Sequence, residues 1–297
     1  MTQRVALLVN PTSGKGRGLR EGRVAAARLR EHGLQVDVVV GDDGSDAQVR
    51  ARRAAADGYD VLVAAGGDGM VHLVLQAVAG TGVPLGIVPA GSGNDFARLL
   101  GLEPHQPLAA ADQVAAGVVR TVDAARVGDR WYAGVLSSGF DSAVNERANR
   151  MSWPRGRMRY NLAILAELRV FRAVPFRLRM DGEVVEREAM LVAVGNGSSY
   201  GGGMQVCPGA RVDDGLLEVT VLGRIGKAEF LRVFPKVYSG THVEHPAVSV
   251  HVARAVSLEA DGVVAYADGE RVRSLPVDIE CVADALRVLA PEPAGNG

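Results

Sequence analysis

At 297 residues the chain has room for about two domains of roughly 150 residues each. Its 47% hydrophobic and 23% charged residues supply ample material for packed cores, which excludes wholesale disorder. Lys plus Arg total 33 against 34 Asp plus Glu, a formal net charge of -1, which argues against a polyanion binder held by bulk positive charge and so against nucleic acid as a partner.

The two cysteines, Cys207 and Cys281, are too few for a disulfide framework and lack metal-ligand spacing; they read as small core residues in a reducing cytoplasm. Arg4 precedes only the short apolar run Val5 to Val9, unlike a secretory signal, and no stretch reaches ~18 apolar residues. The expectation is a soluble protein, at most attached to a membrane surface.

Residues 4–10 (RVALLVN) form an apolar run of strand length, followed by PTSGKGRG and then an Ala/Arg/Leu stretch with helical spacing to about His32. This is strand, glycine loop, helix. QVDVVVG at 35–41 reads as a second buried strand, and Ser45 as the cap of a helix over 46–56 that stops at Gly58. DVLVAAGG at 60–67 is a third strand ending in glycines, with a helix over 70–78. VPLGIVPAGSG at 83–93 repeats the pattern, with NDFARLLG as the helix after it. Strands alternating with helices at this spacing predict a parallel sheet covered on both faces, whose ligands bind at the carboxyl ends of the strands. All three glycine-rich loops fall there.

After Thr121 the texture changes to β-branched runs separated by turn signals, with Asp181-Gly182 as a hairpin turn. An antiparallel second domain is expected, interrupted by helical stretches at about 141–172 and 226–238. The boundary falls near 120–127, giving domains 1–123 and 124–297, and the last residues can pack back on the first.

The loop Asn10 to Gly18 is not a Walker A motif, because Gly14-Lys15 is followed by Gly16 and Val9 stands where the motif's first glycine belongs. Its glycines would still let backbone N–H groups approach an anion at the start of a helix. Gly66-Gly67-Asp68-Gly69 places bare backbone beside a carboxylate at a strand end. The glycines admit phosphates, and Asp68 can hold Mg²⁺ or a ribose hydroxyl; the alternative is a tight turn in which Asp68 caps the next helix. PAGSGNDF at 89–96 completes the set, with Ser92, Asn94 and Asp95 opening a helix that an ordinary cap would also explain.

NPTSGKGRG, GGDGMVHLVL and PAGSGNDFAR resemble the three signature stretches of the diacylglycerol kinase catalytic domain family, which includes bacterial lipid kinases and sphingosine kinases. GGDG alone is shared with NAD kinases and phosphofructokinases. Gly139-Phe-Asp141, Asn196 with Gly201 to Gly203, Pro208 to Ala210, Asp213 to Leu216 and Asp268-Gly-Glu270 follow in the family's order, so the resemblance covers nearly the whole chain. It implies an α/β fold: an N-terminal doubly wound parallel-sheet nucleotide-binding domain, then a C-terminal antiparallel β-sandwich that takes the lipid.

The resemblance assigns nucleotide contacts to Asn10, Ser13, Gly14, Gly66, Gly67, Asp68, Gly69 and Ser92, and the general base to Glu270. From the residues alone, Glu270 reads as a side chain exposed after a hairpin turn at Asp268-Gly269; as a base it needs close placement, and partial burial would raise its pKa. The resemblance also implies a structural Mg²⁺ held by Asp214 with the carbonyls of Arg211 and Leu216, an oxygen-only set that suits this ion, with Asp123 joining the acidic network. Catalytic residues are therefore Glu270, Asp68 and Asp123. The chain departs from the family at Met70, His72 and Leu73, where Thr, Asn and Glu are usual, and mildly at Ser92 for Thr. Met70 and Leu73 remove a hydroxyl and a carboxylate near the phosphates, which bears on nucleotide affinity and activity.

Residues 146–179 carry nine arginines against Glu146 and Glu167, with Trp153, Tyr160, Phe171 and Phe176 between them. Such a segment can sit on an anionic bilayer, or be a solvated helical face with its apolar side in the core. The expected function is transfer of the γ-phosphate of Mg-ATP to a membrane lipid hydroxyl, diacylglycerol foremost, by a cytoplasmic, peripherally membrane-associated enzyme, with a homodimer left open. The alternatives are a sphingoid-base or other lipid-alcohol kinase, a non-catalytic nucleotide- or lipid-binding regulator, and an NAD or sugar kinase.

Overall fold

Val5 to Val9 and Val61 to Gly66 are buried on both faces, and strands of that kind need helices above and below them. A computed structural model describes residues 2–151, 153 and 157–292, and the chain divides into two compact units. Unit 1 takes Met1–Ala124, Val212–Asp214 and Val282–Gly297; unit 2 takes Ala125–Arg211 and Gly215–Cys281.

Unit 1 runs β1 (Arg4–Val9), α1 (Ser13–Glu31), β2 (Gln35–Val40), α2 (Gly44–Ala56), β3 (Val61–Gly66), α3 (Asp68–Val78), β4 (Leu85–Pro89), α4 (Asp95–Leu99) and α5 (Pro107–Ala116). The strands are parallel in the order β2-β1-β3-β4. The chain's last strand (Val277–Leu289) returns to this sheet, with Val288 parallel to Leu85 of β4. Ala25, Leu29, Ala111 and Val114 of α1 and α5 pack with Val5, Leu7 and Val63 on one face. α2 and α3 pack together and cover the other, so the sheet is doubly wound as expected.

Three details differ from the sequence reading. β2 is the edge of the sheet rather than a buried strand, with Val38 41% and Val40 39% exposed. The cap of α2 is Asp43, whose carboxylate accepts the Asp46 N–H at 2.9 Å, and not Ser45, which lies inside the helix. α5 was not foreseen, although Pro107 opens it and Gly117, at φ 68°, ends it.

Unit 2 begins within β5 (Val119–Val127) and continues through β6 (Arg130–Tyr132), β7 (Val135–Gly139), α6 (Phe140–Arg150), α7 (Arg157–Val170), β8 (Val174–Met180), β9 (Glu183–Gly195), β10 (Leu217–Gly223), α8 (Lys227–Val233), β11 (Val248–Ala253), β12 (Ala255–Glu259), β13 (Val264–Ala267), β14 (Glu270–Ser274) and the start of the last strand, β15. The pairings are antiparallel, and β9 organises them. Its first half pairs with β8, which continues to β12 and β15; its second half lies between β7 and β10, flanked by β13 and β11. Leu136, Leu178, Val192, Val219, Leu258 and Ile279, from β7, β8, β9, β10, β12 and β15, meet in one core, as the two layers of a β-sandwich do.

Asp181-Gly182 forms the expected hairpin turn, both residues at positive φ (48° and 99°). The helical stretch expected over 141–172 is two helices, α6 and α7, and residues 152 and 154–156 between them, Arg155 included, lie outside the described residues. The stretch expected over 226–238 is α8 followed by tighter helical turns at Phe234–Ser239 and Thr241–Glu244. Both cysteines are free thiols. Cys207 is buried, and burial pushes its thiol up to about 12; Cys281 is only half-buried, so it is not the core residue expected.

Candidate active site

In unit 1, β2 lies on one side of β1 and β3 on the other, so the connections diverge and open a crevice at the carboxyl ends of β1 and β3. The three glycine-rich turns meet there, held by their own backbones. Ser13 Oγ, at the start of α1, accepts the N–H of Gly67 at 3.3 Å, and Gly66 O accepts the N–H of Ala90 at 2.8 Å. A Cβ at Gly91 would stand 2.4 Å from Gly67 Cα, and one at Gly14 would stand 2.3 Å from Ala90 O. Gly14 also has φ 56°, so only glycine fits there without strain.

Asp68 joins the second turn to the third. Its carboxylate accepts the backbone N–H groups of Asn94 (2.8 Å) and Asp95 (2.7 Å). It therefore caps α4, whereas the sequence alternative had it capping its own helix. Burial and, secondarily, the neighbouring Asp95 carboxylate push its pKa up, against the pull of these hydrogen bonds. Asn94 holds a left-handed conformation (φ 58°) and closes on Gly91, its Oδ1 accepting the Gly91 N–H at 2.9 Å and its Nδ2 donating to Gly91 O at 3.0 Å. Ser92 and Gly69 are left exposed, while the Asn10 side chain accepts hydrogen bonds from the Thr12 N–H and hydroxyl.

All eight residues expected to contact nucleotide thus lie at one edge of one sheet. The sequence reading missed two cations at the same turns. Arg17 Nε donates to Gly14 O at 2.9 Å and Arg98 Nε to Gly93 O at 3.0 Å, and both side chains are exposed. The signal was an arginine three to five residues beyond a loop glycine. Met70 is 5% exposed, so its side chain lies in the interior. His72 is half-buried beside Gln76 on the helix face.

Asp123, on β5, is buried; its carboxylate accepts the Asp284 N–H at 3.0 Å and its own N–H donates to Val212 O at 2.7 Å. It is thereby tied to the segment that carries Asp214. Arg211 and Leu216 belong to unit 2, so this loop is a place where the chain passes between units. Among the described residues no group of three or more His, Cys, Asp or Glu side chains could hold a metal, so a cation at Asp214 would draw on backbone carbonyls.

In unit 2, Glu270 opens β14 directly after the two-residue turn Asp268-Gly269, both at positive φ (50° and 82°). The Asp268 carboxylate accepts the N–H groups of Ala133 (3.0 Å) and Gly134 (2.9 Å), fixing the hairpin to the loop before β7. Glu270 itself is exposed, so the partial burial expected of a base is absent. The hairpin has a second anchor that the sequence did not suggest. Glu146 of α6 accepts hydrogen bonds from Tyr266 Oη (2.8 Å) and Arg271 Nε (3.0 Å), on either side of the turn.

The chain matches two family models, the diacylglycerol kinase catalytic domain over residues 4–127 and the YegS C-terminal NAD kinase beta sandwich-like domain over residues 134–290. It is similar to a diacylglycerol kinase of Mycobacterium tuberculosis, with 45% identity over 97% of this chain and 95% of that protein. Among solved structures it is similar in fold to a diacylglycerol kinase from Bacillus anthracis (TM-score 0.74, 24% identity, 97% of each chain). It is also similar to an NAD kinase from Archaeoglobus fulgidus in complex with ATP (TM-score 0.57, 14% identity, 98% and 94% of the chains).

Proposed function

Because the chain belongs to the diacylglycerol kinase catalytic domain family, we propose that it transfers the γ-phosphoryl group of ATP to the hydroxyl of a membrane lipid, with diacylglycerol as acceptor and phosphatidate as product. The observation that carries this reading is the junction of three glycine turns at the strand switch point of unit 1. Phosphoryl transfer demands positioning and charge stabilisation more than covalent chemistry, and this junction offers both.

Asn10, Ser13, Gly14, Gly66, Gly67, Gly69 and Ser92 line the cradle, where bare glycine backbone lets phosphates come close. Asp68 keeps the third turn folded against the second, and Arg17 and Arg98 add positive charge beside it. Glu270 takes the proton of the lipid hydroxyl. What supports this role is placement: Glu270 stands on a hairpin that Asp268 ties to the loop before β7. Asp214 and the carbonyls of Arg211 and Leu216 form an all-oxygen donor set that fits Mg²⁺, with Asp123 steadying the segment through Val212. Bound there, Mg²⁺ supplies a fixed positive charge that holds this loop in one geometry.

No described helix is long and apolar enough to cross a membrane. In this reading the enzyme meets its lipid at a bilayer surface. α7 supports such a contact. Met158, Leu162, Leu165 and Val170 are exposed along it, as is Trp153 before it, with exposed Arg150, Arg169 and Arg172 nearby. This patch is less basic than the composition suggested, because Arg147 pairs with Glu167 at 2.6 Å, and Phe176 lies in the core and takes no part in it.

The test is phosphorylation of a panel of diacylglycerol, monoacylglycerol and sphingoid lipids with radiolabelled ATP and Mg²⁺. Diacylglycerol should be turned over, and Glu270→Gln should slow turnover roughly 10²–10⁴-fold with the melting temperature unchanged. Preference for a sphingoid base would reassign the acceptor. ATP consumption with no lipid at all would end the reading, and full activity in Glu270→Gln would remove that residue as base.

A further inference from the structure

A strand keeps its register where one of its faces is buried, and a slip of one residue turns every side chain to the opposite face. β14 has little of this protection. β13 is its only strand partner among the described residues, and Glu270, Arg271, Arg273 and Ser274 are exposed, which leaves Val272 alone partly buried. A bulge falls in the same place: Ala265 pairs with Arg273 and Tyr266 with Arg271, so that Val272 has no residue opposite it. The neighbours that a slip would exchange differ in sign, Glu270 for Arg271.

Glu146 of α6 meets this weakness. Tyr266 and Arg271 are cross-strand partners, and both donate to one oxygen of Glu146, Tyr266 from Oη at 2.8 Å and Arg271 from Nε at 3.0 Å. The second oxygen of Glu146 pairs with Arg150 at 3.4 Å. Tyr266 and then Arg271 hold the Glu146 pKa below the usual carboxylate range, so it stays an ionised acceptor, while burial and then Glu146 push the Tyr266 phenol up and keep it a donor. Side chains alternate along a strand, so fixing Arg271 toward α6 turns Glu270, which lies opposite Ala267, to the other face. Asp268 fixes where the tip of the turn lies, and Glu146 fixes which face of β14 is which.

We propose that Glu146 is a positioning residue for phosphoryl transfer: by gripping Tyr266 and Arg271 together it locks the register of the hairpin, so that Glu270 and not Arg271 faces the lipid hydroxyl. A slipped hairpin would present a guanidinium, which has no acceptor for a proton, where a base is needed. The proposal rests on Glu270 as the base, and the experiment separates the two.

Diacylglycerol phosphorylation is followed for Glu146→Ala, Glu146→Gln, Glu270→Gln and the double variant Glu146→Ala/Glu270→Gln, beside hydrogen exchange of residues 264–274 and melting temperature. Glu146→Ala should lower kcat roughly 10–10²-fold at an unchanged KM for ATP and speed exchange across the hairpin. Glu146→Gln keeps an acceptor for the two donors and should recover part of the rate. In the Glu270→Gln background Glu146→Ala should lower the rate no further, because Glu146 acts through Glu270. With Glu270→Gln slow, a wild-type kcat in Glu146→Ala, or the same fractional loss with and without Glu270, would overturn the proposal and leave the base in place. Full activity in Glu270→Gln would end the reading of Glu270 as base; faster exchange in Glu146→Ala would then still support the register lock, and unchanged exchange would overturn it. If Glu146→Ala does not fold, Arg271→Gln, which releases one of the two grips at an exposed position, decides by the same measurements.

Discussion

Replacing Asp268 by Ala tests whether the Glu270 hairpin is held by its turn residue. The carboxylate accepts two backbone N–H groups, of Ala133 at 3.0 Å and Gly134 at 2.9 Å, in partly buried surroundings. Hydrogen bonds to a charged acceptor are worth about 1.5–3 kcal/mol each, and partial exposure puts these at the low end, so about 3 kcal/mol is lost together. Asp268 also sits at φ 50°, where alanine costs about 1 kcal/mol and Asp is better tolerated. The sum, about 3–4 kcal/mol, corresponds to a fall in melting temperature of roughly 6–15 °C for a domain of this size. Asp268→Asn keeps one acceptor and the left-handed tolerance, and should cost about half as much. Because Glu270 stands two residues away, a displaced hairpin should also slow lipid phosphorylation by on the order of 10²-fold, with Asn restoring part of the rate. Differential scanning calorimetry and the lipid assay read both effects. An Ala variant that melts with wild type and turns over at its rate would show that these bonds hold nothing in place.

Burial raises the pKa of Asp141, which accepts hydrogen bonds from Ser137 and Tyr200, so Asp141→Asn carries a pH signature. A carboxyl whose folded-state pKa is raised contributes stability that is complete below about pH 4 and is lost as pH rises through the raised value, so the Asn variant should match wild type in acid and exceed it at neutral pH in urea unfolding. A variant less stable at neutral pH would mean that the bonds from Ser137 and Tyr200 outweigh burial. Gly91→Ala forces a Cβ to 2.4 Å from Gly67 Cα and 2.8 Å from Asn94 Oδ1, so it should cost about 2–3 kcal/mol and abolish ATP binding by calorimetric titration. Normal ATP affinity in that variant would detach the junction of turns from nucleotide binding. Mg²⁺ at a hundred times its dissociation constant should stabilise wild type by about 2.7 kcal/mol and Asp214→Ala not at all; equal stabilisation would move the metal elsewhere.

Most of the architecture was legible because it follows from local chemistry. The apolar runs of β1, β3 and β4 ended in glycines, and each such ending became a turn at the sheet's carboxyl edge. Asp181-Gly182 became a hairpin because Asp and Gly tolerate positive φ. What stayed hidden depends on neighbours in space. Nothing in QVDVVV says that β2 has a partner on only one side, so its burial was overestimated. Asp68 as the cap of a helix 27 residues away, and Glu146 as anchor of a hairpin in β13 and β14, are contacts across long loops with no sequence period.

The chain passes repeatedly between the two units, and unit 1 is finished only by its final strand, where Val288 lies beside Leu85. A fragment ending at residue 124 would therefore present β4 as a bare, strongly apolar border, inviting strand addition by other copies. Cutting this protein after residue 124 should yield aggregate from the N-terminal piece. Any attempt to graft unit 1 onto another module must carry residues 282–292 along with it.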